Sequence, residues 1–101
     1  MNTTKWTEIF HLFYTTYECG RGLAIRWRTL DRSGHVSAWD GTWSHFLPAG
    51  DSGRSIVWLQ VWPPESMLTQ VVQDLRAIHL PGTVENGVIT IWGQRQDADW
   101  L

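Results

Sequence analysis

The sequence predicts an α+β domain: an antiparallel sheet of four to five strands with two helices packed on one face, in the order α-β-β-β-β-α-β. Three observations carry this. Apolar residues recur at helical spacing near the start of the chain and again around residue 70, the period between those segments falls to two, and Gly, Asp-Gly and Asn-Gly punctuate the region at short intervals. Strands grouped apart from helices, rather than alternating with them, indicate an antiparallel sheet. At 101 residues the chain is expected to be one domain over 1–101, large enough to bury a core without metal or disulfide support.

Trp6, Ile9, Phe10, Phe13, Tyr14 and Tyr17 lie at offsets that line one side of a helix. Thr3 or Thr4 is expected to cap its start and Gly20 and Gly22 to end it. Strands are expected near 23–30, 35–39, 42–47 and 56–62. Asp31-Arg32-Ser33-Gly34 and Asp40-Gly41 are read as turns, with Gly41 at positive φ, and Pro48 to Gly53 as a looser connection. Pro63-Pro64-Glu65 opens the second helix, since proline needs no N–H in a first turn and Glu65 faces the positive end of the helix dipole. Met67, Leu68, Val71, Val72, Leu75 and Ile78 form its apolar stripe. The helix stops before Leu80-Pro81-Gly82, and Asn86-Gly87 turns into a last strand over 88–92.

Alternation assigns the faces of the sheet. Val57, Leu59 and Val61 are expected to point to the helices, and Ile56, Trp58, Gln60 and Trp62 away from them. Leu23, Ile25 and Trp27 join the core, while Ala24, Arg26 and Arg28 take the opposite face. Whether Trp39 shares a face with Trp43 depends on a two- or three-residue loop at Asp40-Gly41, which the sequence leaves open. The candidate interface is therefore Arg26, Arg28, Trp39, Trp58, Gln60 and Trp62.

Eight tryptophans dominate the composition, each carrying a large apolar area and an N–H that needs a partner. Most are expected to build the core, and two or three to lie on a surface with a purpose. A net charge of −2 removes the electrostatic footprint of bulk nucleic-acid binding. A lone Cys19 gives no intrachain disulfide, and the chain shows neither a secretory signal nor an apolar run long enough to cross a bilayer. The expected setting is cytoplasmic, without membrane association.

No catalytic residue, metal site or cofactor is expected. The chain lacks Cys-x-x-Cys or His-x-x-x-His spacing, phosphate-cradling glycine loops and a Gly-x-Ser-x-Gly elbow. His35, Asp40 and His45 are the best constellation for general acid–base work, but Asp40 equally suits an Asp-Gly turn and the histidines half-exposed strands. His11 and His79 read as cap or surface residues, and Cys19 has no neighbouring cation to activate its thiol.

Lys5-Trp6, Val36-Ser37-Ala38-Trp39-Asp40-Gly41-Thr42-Trp43, Ser55-Ile56-Val57-Trp58-Leu59 and Ile78-His79-Leu80-Pro81-Gly82 together resemble a bacterial family of small tryptophan-rich stand-alone proteins. That family is known as a domain of unknown function, and similar proteins occur as mobile gene cassettes of integrons. The resemblance covers roughly residues 5–93, its most specific element is the Trp-Asp-Gly-x-Trp segment, and it implies no activity. The chain departs from the pattern at Ala38, where a charged residue is usual.

These readings point first to a non-enzymatic module that self-associates, as a homodimer, or binds a protein partner through the Arg/Trp face, since Trp and Arg are enriched at binding hot spots. The alternative is a small-molecule or single-stranded nucleic-acid binder that stacks planar rings on Trp39, Trp58 or Trp62. A third, an enzyme using the hairpin histidines, ranks last.

Overall fold

The helical spacing of Trp6, Ile9 and Phe13 drives them into one buried cluster, with Phe10 and Tyr14 packed against its margin. They belong to α1 (Thr3–His11) and to a π-helical continuation over Leu12–Glu18. The computed structural model of the chain describes residues 3–18, 25–41, 56–93 and 101. The expected helix end at Gly20 and Gly22, the strand at 42–47, the Pro48–Gly53 connection, Cys19, Trp43 and His45 lie outside the described residues. Thr3 and Thr4 are already helical, so neither is the cap expected of them.

Four strands follow: β1 (Arg26–Asp31), β2 (Ile56–Trp62), β3 (Gly82–Glu85) and β4 (Val88–Trp92). They form one antiparallel sheet in the order β1-β2-β4-β3. The segment expected at 35–39 runs along the free side of β1, held by bridges Leu30–Val36 and Trp27–Asp40. Ser37 Oγ accepts from the Thr29 N–H at 3.0 Å, and the Ser37 N–H donates to the Thr29 carbonyl at 2.9 Å.

The second helix, α2 (Leu68–Ile78), is preceded by a 3-10 turn over Glu65–Met67, so Pro63-Pro64-Glu65 leads into a tighter turn than expected. Val71 and Leu75 are fully buried, and Met67, Leu68, Val72 and Ile78 pack around them. At that depth, truncating Leu75 to Ala costs about 2–5 kcal/mol. His79 ends the helix at φ 62°, donating its N–H to the Arg76 carbonyl at 3.0 Å. Lys5 Nζ donates to the Ile78 carbonyl, placing a cation at the negative end of α2 and tying the helices together. Both helices cover the face that carries Ile25, Trp27, Leu59, Val61, Ile89 and Ile91.

Three expectations need correction. Ile56 joins the core and Val57 is only half-buried, the reverse of the expected facing. The cause is a bulge: Leu30 pairs with Trp58 but Asp31 pairs with Ile56, so Val57 is an extra residue and the alternation slips there. Gly82–Glu85, where no strand was expected, is a strand that closes a hairpin with β4 through the expected turn at Asn86 and Gly87, both at positive φ (52° and 79°). Gly41 does not have positive φ. Asp40 still exchanges both backbone hydrogen bonds with Trp27, at 2.8 and 2.9 Å, so the chain remains paired up to the point where the tight turn was expected.

Candidate functional site

Residues directly opposite in an antiparallel ladder share a face, and the register therefore assembles the outer face row by row. Val36, Leu30, Trp58 and Trp92 form one apolar row. Arg28, Gln60, Thr90 and Thr83 form the next. Arg26 and Trp62 begin a third, which Val88 and Glu85 complete on the other half of the sheet.

Side chains bind the rows together. The Arg28 Nε–H donates to Gln60 Oε1 at 2.8 Å, and the Gln60 amide donates to Thr90 Oγ1 at 3.2 Å. The Arg28 guanidinium carbon lies 4.5 Å from the Trp39 ring centre and 5.8 Å from that of Trp58. Trp39 packs on Trp62 with centroids 5.4 Å apart and planes inclined by 55°, and Arg26 stands 6.0 Å from the Trp62 ring centre. The result is a ladder in the order Trp58, Arg28, Trp39, Trp62, Arg26. Each guanidinium meets the negative face of an indole, an attraction of about 0.5–2 kcal/mol depending on desolvation.

All six candidate interface residues, Arg26, Arg28, Trp39, Trp58, Gln60 and Trp62, thus lie together on the face opposite the helices. The sequence reading missed Trp92 and Glu85 on the same face. Alternation against buried Ile89 and Ile91 was the available signal for Trp92; Glu85 needed strand β3 to be recognised. The tryptophans divide differently from expectation. Among the six described, Trp6 and Trp27 are buried in the core, while Trp39, Trp58, Trp62 and Trp92 take the outer face.

Trp62 is 44% exposed and forms a wall shared by two open clefts of about 380 Å³ each. One is lined by Arg26, Trp62, Pro63, Pro64 and Glu65, the other by Trp62, Pro63, Glu65, Leu68, Asn86 and Gly87. Among the described residues, no carboxylate lies within ion-pair distance of Arg26 or Arg28. Arg28 spends its Nε–H on Gln60, whereas exposed Arg26 presents its guanidinium to solvent.

Of the histidine constellation, His35 and Asp40 lie apart, and His45 is outside the described residues. His35 sits in the turn after β1, its N–H donating to Asp31 Oδ1 at 3.1 Å, and Asp40 lies at the far end of the bridged segment. Among the described residues no group of His, Cys, Asp or Glu is arranged to hold a metal ion, and no helix is long and apolar enough to cross a membrane.

No curated protein and no solved structure matches the chain. A family model does, over residues 1–98, and the chain accordingly belongs to a family of unknown function, DUF6678.

Proposed function

We propose that the protein is a non-enzymatic interaction module that self-associates through the outer sheet face. One observation carries this reading: four tryptophans share that face with two stacked arginines, and Trp62 keeps 44% of its surface exposed. A contiguous aromatic patch of this kind marks a contact surface, and a twofold contact is the simplest way for a small domain to cover one. The resemblance to small stand-alone bacterial cassette proteins suits a module that completes its surface with its own copy.

Sedimentation velocity on wild type and Trp62→Ser tests the reading. A wild-type dimer that Trp62→Ser converts to a folded monomer, with unchanged far-UV circular dichroism, supports it. A wild type that stays monomeric at high concentration overturns it. The paired clefts around Trp62 favour a second reading in that event, a small planar ligand stacked on Trp62, detectable as quenching of indole fluorescence lost in Trp62→Ser.

A further inference from the structure

We propose that the face is occupied by a second copy related by a twofold axis parallel to the strands, so that Arg26 of each copy meets Glu85 of the other; this rests on the self-association reading above. A sheet can stack on its own copy about a twofold axis lying in the interface in two simple ways. With the axis across the strands at the Arg28 row, β1 lies over β1 of the other copy with its direction reversed, so that Arg28 is brought against Arg28 and Arg26 against the Leu30 level. The outer rows of β1 and β2 carry no carboxylate to offset that pair, and like charges juxtaposed at an interface suppress association.

With the axis along the strands, the order β1-β2-β4-β3 is reversed between copies while each row keeps its level. β1 then lies over β3, and β2 over β4. The rows become complementary position by position. Trp58 faces Trp92, as its own pairing across β2 and β4 already aligns them on one row. Gln60 faces Thr90, an amide against a hydroxyl. Arg28 faces Thr83.

The third row decides the matter. Its register runs from Arg26–Trp62, one step beyond Val61–Ile89, to Val88–Glu85. Arg26 therefore stands at one end of the four-strand row and Glu85 at the other, both exposed. The strand-parallel axis superposes these opposite charges twice, once at each rim, with Trp62 over Val88 between them. Packed sheets lie about 10 Å apart, a gap that an Arg and a Glu side chain span by extending towards each other.

The test is a charge-exchange cycle on the full chain, read as the dimer dissociation constant by sedimentation equilibrium, with circular dichroism confirming each fold. Both residues are exposed, so the variants Arg26→Glu and Glu85→Arg retain the core. Each single variant is expected to weaken the dimer roughly tenfold or more, because it sets like charges opposite one another at both rims. The double variant Arg26→Glu/Glu85→Arg is expected to return to within about threefold of wild type, since the pair is only inverted. A dimer unmoved by either single variant but broken by Trp62→Ser overturns this arrangement and leaves self-association through the face standing. Single variants that weaken the dimer without recovery in the double variant overturn it as well. A monomeric wild type overturns both readings together.

Discussion

The guanidinium carbon of Arg28 lies 4.5 Å from the centre of the Trp39 ring while the same side chain donates to Gln60 across the β1–β2 pair. A single residue of β1 thereby fastens the 36–40 segment on one side and β2 on the other. Backbone hydrogen bonds already join β1 to that segment, two between Trp27 and Asp40 and one from the Ser37 N–H to the Thr29 carbonyl, and the side-chain stack adds to that attachment. Only a planar, delocalised cation can stack on an indole and use its Nε–H in the sheet plane at once.

Replacing Arg28 with Lys keeps the charge, but a compact ammonium cannot make both of those contacts at once. We expect a loss of about 1–3 kcal/mol in urea titration, from a charge-assisted hydrogen bond and the ring contact. The near-ultraviolet circular dichroism of the stacked tryptophans should diminish in parallel. A variant within about 0.3 kcal/mol of wild type would mean that the ladder is ornament on a face held by the backbone alone.

The outer face was legible in the sequence because two strands alternate between chemically distinct sets: Arg26 and Arg28 against Ile25 and Trp27, and Trp58, Gln60 and Trp62 against Leu59 and Val61. Such contrast fixes facing without knowledge of pairing. The bulge at Val57 was illegible for the opposite reason. Ile56 and Val57 are both aliphatic, and nothing in residue type marks which of them is the extra residue. Strand β3 was hidden by Pro81-Gly82, read as a breaker. Gly82 instead serves close approach, since a Cβ there would stand 2.4 Å from the Thr90 carbonyl oxygen. With β3 unread, Glu85 had no face and the charge symmetry of the sheet could not be seen.

Two glycines of similar sequence context should respond differently to substitution. Gly87 has φ 79° in the β3–β4 turn, where a side chain is strained whatever space surrounds it. Gly87→Ala should therefore cost about 1–2 kcal/mol. Gly41 follows Asp in the motif that resembles a tight turn, yet its φ is not positive and a Cβ there would meet nothing within 4 Å. Gly41→Ala should leave stability unchanged or raise it by up to about 1 kcal/mol through the unfolded chain. Equal losses in the two variants, measured by thermal melting, would restore a tight turn at Asp40-Gly41.

Asp31 gives the fold an acid-sensitive corner. Its Oδ1 accepts from the Ser33 hydroxyl at 2.5 Å, the Ser33 N–H at 2.9 Å and the His35 N–H at 3.1 Å, closing the turn in which Gly34 stands at φ 89°. These bonds favour the carboxylate, the Ser33 hydroxyl foremost, and hold the Asp31 carboxyl below its ordinary value. The sign follows from linkage: a group more acidic in the folded chain than in the unfolded one contributes stability that is complete above its unfolded pKa, near 3.9. That contribution is lost as the pH falls through the lower folded value. Asp31→Asn retains an acceptor but cannot titrate. The stability difference between wild type and Asp31→Asn should accordingly stay constant above about pH 5 and narrow below about pH 4. Denaturant titrations of both proteins across that range check it, and a difference that instead widened with acid would show that the turn favours the protonated carboxyl.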